Sequence, residues 1–225
     1  MARTPIQSNY VIDKLKEMIL FRKITNDTPI SETSLAESLG VSRTPIREAL
    51  KILENDGVLS RLNGRIIVNY IDPSKSAELE LIRSRLESLA AEFAARRIDS
   101  QGKKEIFEAL NKLENYHGTN LFEMSQLNDN LHLTIAKVSQ MDFLVDILLD
   151  IQTKLKLSQS VMHITTDRRS GSMEEHRQIV DLIVNHKAKA AGKLAESHVY
   201  LTYKLILSSV SAKEKDREYK ISEIQ

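Results

Sequence analysis

The chain has 225 residues, 41% hydrophobic and 28% charged, the balance of a globular protein with one large domain or two small ones. Its net charge is only +1 and it has no cysteine, which excludes disulfides, thiolate metal sites and any argument from bulk positive charge. No apolar run approaches the roughly 20 residues of a membrane helix, and Met1 to Asn9 lack the apolar core of a secretory signal, so the reducing cytoplasm is the expected location.

Glycine and proline are scarce, at 7 and 4, and helical patterns dominate. Val11, Ile12, Leu15, Met18 and Ile19 recur at helical spacing and predict a first amphipathic helix, followed by a loop through Asn26, Asp27 and Pro29. Ser31 is the expected cap of a second helix bearing Leu35, Ala36 and Leu39, which Gly40 stops. Ser42 is the expected cap of a third helix, with Pro45 tolerated in its first turn and Gly57 beyond its end. Ile46, Ala49, Leu50 and Leu53 form its inward face, whereas Arg43, Arg47 and Lys51 follow i, i+4, i+8 as a positive stripe with Thr44 beside it.

Two helices joined by the short turn Gly40-Val41, the second with a polar, arginine-bearing start, match the helix-turn-helix layout, in which that second helix enters the major groove. Arginine can grip a guanine edge with two hydrogen bonds, and Ser42, Thr44 and the open backbone N–H groups at the helix start suit phosphate. The β-prone runs Val58-Leu59-Ser60-Arg61 and Arg65-Ile66-Ile67-Val68 flank Asn63-Gly64, a strong hairpin signal, and predict a wing with Arg61, Asn63, Gly64 and Arg65 at its tip. Each feature alone is ordinary scaffold; their ordered combination points to DNA.

The run Leu35-Ala36-Glu37-Ser38-Leu39-Gly40-Val41-Ser42-Arg43-Thr44-Pro45-Ile46-Arg47-Glu48-Ala49-Leu50, then Leu53-Glu54 and Asp56-Gly57, resembles the N-terminal signature of the GntR family of bacterial regulators. The resemblance implies that Arg43, Thr44 and Arg47 contact DNA and that Gly64 lets the wing approach it. Thr33 departs from the pattern, standing where some relatives carry a DNA-contacting arginine.

Asp72-Pro73 opens the next helix, and the chain then reads as helices of roughly 73–97, 100–116, 120–139, 141–165, 173–185 and 187–210, with a charged, disordered tail from Ala212 to Gln225. Leu79, Ile82, Leu86, Leu89 and Phe93 form one expected bundle seam, and Ala191, Leu194, His198, Leu201 and Leu205 another. The fold class is therefore mainly α: a winged helix-turn-helix with a small β-hairpin over residues 1–70, then an all-α antiparallel helical bundle over 71–211.

Histidine is unexpected inside such seams. His198 occupies one, His176 leads the stripe Ile179, Val180, Ile183, and His132 lies within Leu121, Met124, Asn128, Leu131, Ile135. With the turn between the last two helices near His186, a rise of about 1.5 Å per residue brings His176 and His198 level to within one turn. Asn128 and His132 share a face at i and i+4. Three imidazoles and one amide oxygen can thus meet at one internal point, a first shell for zinc, or for nickel or manganese. The bland alternative is hydrogen-bonded core histidine. His117, His163 and His186 fit no such register and read as surface or turn residues.

Glu80 to Ala95 with Arg83 and Glu87, Leu127-Asn128 with Leu131-His132, Glu175-His176 with Ile179 and Val180, and His198 resemble the FCD effector domain of the FadR subfamily. The resemblance implies a metal at Asn128, His132, His176 and His198 that helps bind a small carboxylate, and an Arg83 able to clamp that carboxylate. Arg83 could instead serve only as an i, i+4 partner of Glu87.

The expected function is a ligand-responsive, homodimeric DNA-binding regulator, more often a repressor in such families, acting on a palindromic operator. A metal-dependent enzyme is the first alternative; against it, the inferred shell places no acidic residue beside the histidines to act as general base. An architectural DNA-binding dimer without a ligand is the second.

Overall fold

The computed structural model describes residues 4–21, 23–27, 31–156 and 169–222. His163 and Pro29 lie outside them. The chain divides into two compact units, one built on residues 1–71 and one on residues 72–155 and 160–225. Among the described residues there are nine helices and one two-stranded sheet.

In the first unit, α1 (Thr4–Leu20), α2 (Glu32–Leu39) and α3 (Arg43–Asn55) precede β1 (Leu59–Leu62) and β2 (Arg65–Val68). The apolar spacing of α1 and α3 explains their packing: Val11, Leu15, Ile46, Leu50 and Leu53 are all buried in one core with Val58 and Val68. Each such side chain contributes about 1.5–3 kcal/mol by leaving water. Ser31 caps α2 by accepting the Ser34 N–H at 3.0 Å, and Gly40 closes it in the left-handed conformation, φ 64°. Ser42 takes the extended cap conformation before α3, but its side chain makes no capping hydrogen bond. Its hydroxyl therefore does not occupy the amides that open α3.

The hairpin pairs Leu62 with Arg65 and Leu59 with Val68 in antiparallel register. Asn63 and Gly64 both have positive φ, 51° and 78°, which two-residue turns joining right-twisted strands require. A Gly64→Val variant should cost about 1–2 kcal/mol, the penalty for a branched side chain in that region, read as a lower melting temperature of the first unit by calorimetry. Asn26 anchors the far end of the wing, accepting the Val68 N–H at 2.7 Å and donating to its carbonyl at 3.0 Å.

The second unit is all helical: α4 (Pro73–Arg97), α5 (Ser100–Glu114), α6 (Leu121–Val138), α7 (Asp142–Leu155), α8 (Arg169–Val184) and α9 (Ala188–Ser222). Asp72 caps α4 by accepting the Ser74 N–H at 2.8 Å, with Pro73 at its first position. Residues 157–168, which include the end of the expected 141–165 helix, lie outside the described residues. The expected disordered tail from Ala212 is corrected: α9 continues as helix to Ser222.

The expected seam on α4 is also corrected. Its buried face is Ser76, Ala77, Glu80, Arg83, Ser84, Glu87, Ala90, Ala91, Ala94 and Ala95, while Ile82 and Leu89 are 46% and 37% exposed. The reason lies in α9. It runs so close to α4 that a Cβ on Gly192 would stand 2.9 Å from the Ser88 carbonyl oxygen. Only small residues, or charged ones that neutralise each other, fit the inner face. On α9 the buried positions are Ala191, Ala195, His198, Val199, Thr202 and Ile206, whereas Leu201 of the expected seam is 39% exposed.

Candidate metal centre and DNA-reading face

Three helices of the second unit each turn one histidine inward. α6 carries His132, α8 carries His176 and α9 carries His198, at 4%, 2% and 6% exposure. The α8–α9 connection turns at His186, φ 58°, whose Nδ1 lies 2.9 Å from the Ala95 carbonyl. With the turn there, the His176 and His198 rings stand 4.5 Å apart, centre to centre, and His132 stands 5.1 and 5.3 Å from them. One ring nitrogen from each lies within 4.8 Å of the others.

Carboxylates flank the cluster. His198 Nδ1 lies 2.6 Å from Glu175 Oε2, and His132 Nδ1 lies 3.3 Å from Glu87 Oε2. The expectation of no acidic residue beside the histidines is corrected: among the described residues, Glu175 and Glu87 both stand there. Glu175 is the chain neighbour of His176 yet reaches the histidine of the next helix. Glu80, Arg83 and Glu87 follow i, i+3, i+7 on the alanine face of α4, a run of charge among small buried residues that could have marked them.

Arg83 is buried and donates from Nε to Glu87 Oε1 at 3.2 Å, and from Nη1 to Glu80 Oε1 at 3.5 Å. The i, i+4 pairing with Glu87 is therefore present. Burial pushes the Glu87 carboxyl up, but His132 and Arg83 outweigh it and hold it at about 2. Glu80 is fully buried, its second oxygen has no hydrogen-bond partner, and burial raises its pKa despite Arg83.

The donor set fits a borderline divalent metal. A carboxylate can only accept, so Glu87 and Glu175 place the proton of each partner histidine on Nδ1 and leave Nε2 with a lone pair. His132 Nε2 and His176 Nε2 are 3.2 Å apart. Two nitrogens each about 2.0–2.1 Å from a tetrahedral metal would be separated by roughly 3.4 Å. His132, His176 and His198 would hold the ion. Asn128 is half-buried one turn before His132, and makes no hydrogen bond to the histidines among the described contacts.

In the first unit the side chains of Ser42, Arg43, Thr44 and Arg47 are all exposed at the start of α3, as are Arg61, Asn63, Gly64 and Arg65 on the wing. Lys51 continues the stripe and is exposed too. Two of these arginines carry partners: Arg47 Nε donates to Glu32 Oε2 at 2.6 Å, and Arg61 Nε lies 2.8 Å from Glu54 Oε1. Thr33 is exposed on α2. No described helix is long and apolar enough to cross a membrane.

Comparison with known proteins agrees with both halves. The family profile described as "Bacterial regulatory proteins, gntR family" matches residues 7–68, and that described as "FCD domain" matches residues 78–201. The chain is 30% identical to the "Uncharacterized HTH-type transcriptional regulator YdhC" of Bacillus subtilis over 83% of this chain and 84% of that one. It is 26% identical to the "Probable D-xylose utilization operon transcriptional repressor" of Paenarthrobacter nicotinovorans over 88% of each. Among solved structures, McbR/YncC of Escherichia coli shares the fold, with a TM-score of 0.69 at 20% identity over 91% of this chain and 98% of that one.

Proposed function

This chain belongs to the GntR family of bacterial regulatory proteins and carries an FCD domain after its DNA-binding unit, and from that premise we propose that it senses a small organic acid through a bound metal and represses transcription as a homodimer. It is a DNA-binding transcription regulator and not an enzyme, as its relatives are. We place it in the cytoplasm, where its operator is.

The observation that carries the sensor is the convergence of three buried imidazoles on one point. Burying that many ring nitrogens is costly unless each is satisfied, and one ion satisfies three. Nitrogen ligands favour zinc, with nickel or manganese as the other candidates. When bound, the ion supplies a Lewis-acidic position for a carboxylate oxygen. Asn128 adds an amide oxygen or orients a water there. Arg83 is the protein's own candidate for the same carboxylate, exchanging part of its pairing with Glu80 for the effector.

On the DNA side, Arg43, Arg47 and Thr44 read or grip the major groove, Ser42 and the open α3 amides meet phosphate, and Arg61, Asn63, Gly64 and Arg65 bring the wing to the backbone. Dimerisation is favoured by the apolar stripe on α4. Ile82 and Leu89 stay exposed in a single chain, as do Phe143 and Ile147 of α7, which packs on α4, at 86% and 49%. Apolar surface of this kind marks interfaces. The effector would shift the dimer between states that space its reading heads differently.

The protein should elute as a dimer at micromolar concentration and protect a two-fold symmetric site with half-sites about one helical turn apart. A monomer that protects a single half-site would contradict this. The sensor is tested by elemental analysis with a thermal-shift screen of small carboxylates. One metal per chain is expected, with carboxylate stabilisation confined to metal-loaded protein and accompanied by release of operator DNA. Equal stabilisation with and without metal would remove the ion from the sensor.

A further inference from the structure

A dication on three neutral imidazoles lacks a compensating ligand charge here. The chain has no cysteine, and the residue one turn before His132 is a neutral amide, Asn128. Yet two ligand candidates carry a carboxylate on Nδ1: Glu175 on His198 at 2.6 Å and Glu87 on His132 at 3.3 Å. Glu87 is itself held from the other side by Arg83, so its direction is set by a second contact. Glu175 comes from α8 and His198 from α9, so this pair also ties together the two helices that bring His176 and His198 level.

We propose that Glu87 and Glu175 are the outer carboxylates of this centre: they fix His132 and His198 in the tautomer that offers Nε2 to the metal, and Glu175 supplies the negative charge that Asn128 does not, the charge of Glu87 being shared with Arg83. This rests on the metal reading above. Both are positioning residues, acting through the histidines they hold. The physical basis is general. A carboxylate accepting from the far N–H of a ligand imidazole orients the ring and makes its other nitrogen more basic, and losing such a partner weakens metal binding about 10–100-fold. An ion bound through neutral ligands alone would otherwise leave its full charge in a dry interior.

The experiment is zinc affinity by competition with a chromophoric chelator, on the full-length protein and on Glu175→Gln and Glu87→Gln. Glu175 is the safer site because it is 29% exposed, so its variant should melt with the parent in chelator; Glu87 is buried against Arg83 and serves as the second arm. We expect one zinc per chain in the parent and affinity about 10–100-fold lower in each variant. Cobalt loaded in place of zinc should show an altered visible spectrum in Glu175→Gln, which a purely structural role would not produce. Adding Asn128→Asp to Glu175→Gln should restore most of the lost affinity by returning the charge to the ligand set. Unchanged zinc affinity in Glu175→Gln, with the parent still binding one ion, overturns the proposal and leaves the metal reading standing. Failure of Asn128→Asp to restore affinity overturns the charge argument. A parent that binds no zinc, nickel or manganese overturns the metal reading and this inference with it.

Discussion

His176→Ala and His198→Ala are expected to abolish stoichiometric metal and, with it, the carboxylate response, while operator binding largely survives. The two rings stand 4.5 Å apart on consecutive helices, so each variant removes one of the three ring donors found at the centre among the described residues. Metal that binds only the folded unit stabilises it by about 4 kcal/mol when present at 1,000 times its Kd. For a unit of this size that is roughly 8–16 °C in melting temperature. Chelator should therefore lower the melting temperature of the parent by that order, and leave each variant where it already is. DNA binding should persist because the reading face lies in the other compact unit. If the purified parent carries no metal and chelator moves neither its melting temperature nor its ligand response, the histidines are core packing, and the effector pocket must be argued from Arg83 alone.

What the sequence made legible follows physical rules of short range or strict period. Asn63-Gly64 announced the wing because both turn positions need positive φ, and both have it. The i, i+3, i+4, i+7 spacing of Ile46, Ala49, Leu50 and Leu53 identified the buried face of α3, and all four are buried. The level placement of His176 and His198 came from helix rise and a turn at His186. The inner face of α4 was not legible in the same way. A count of apolar residues favours Leu79, Ile82, Leu86, Leu89 and Phe93, but burial is decided by the close approach of α9 at Gly192 and by mutual neutralisation among Glu80, Arg83 and Glu87. The first depends on a partner helix about a hundred residues away in sequence, which no pattern along α4 reveals; the second lies within α4, as i, i+3 and i, i+4 pairs. Glu175 was hidden for a related reason: its partner is set by the register between two helices, which spacing along one helix does not reveal.

Arg43→Ala and Arg47→Ala are expected to weaken operator binding by about 1–3 kcal/mol each, about 5–150-fold, with folding intact. Folding is spared because both side chains lie on the solvent side of α3, opposite Ile46 and Leu50; the Arg47 side chain is 65% exposed. Arg47 already has a partner, Glu32 at 2.6 Å, and that contact decides whether it can serve DNA at all. An exposed ion pair of this kind is worth only about 0–1 kcal/mol, less than a good two-pronged arginine–guanine contact at about 1–3 kcal/mol. The pair therefore yields to DNA. Glu32→Gln should accordingly tighten binding by a few-fold at most, opposite in sign to Arg47→Ala. Titrating salt separates the roles. An arginine that reads a base loses discrimination between operator and unrelated DNA when removed, whereas one that grips phosphate weakens both alike and lowers the salt slope by about one. The recognition-helix assignment fails if both alanine variants bind the operator as the parent does.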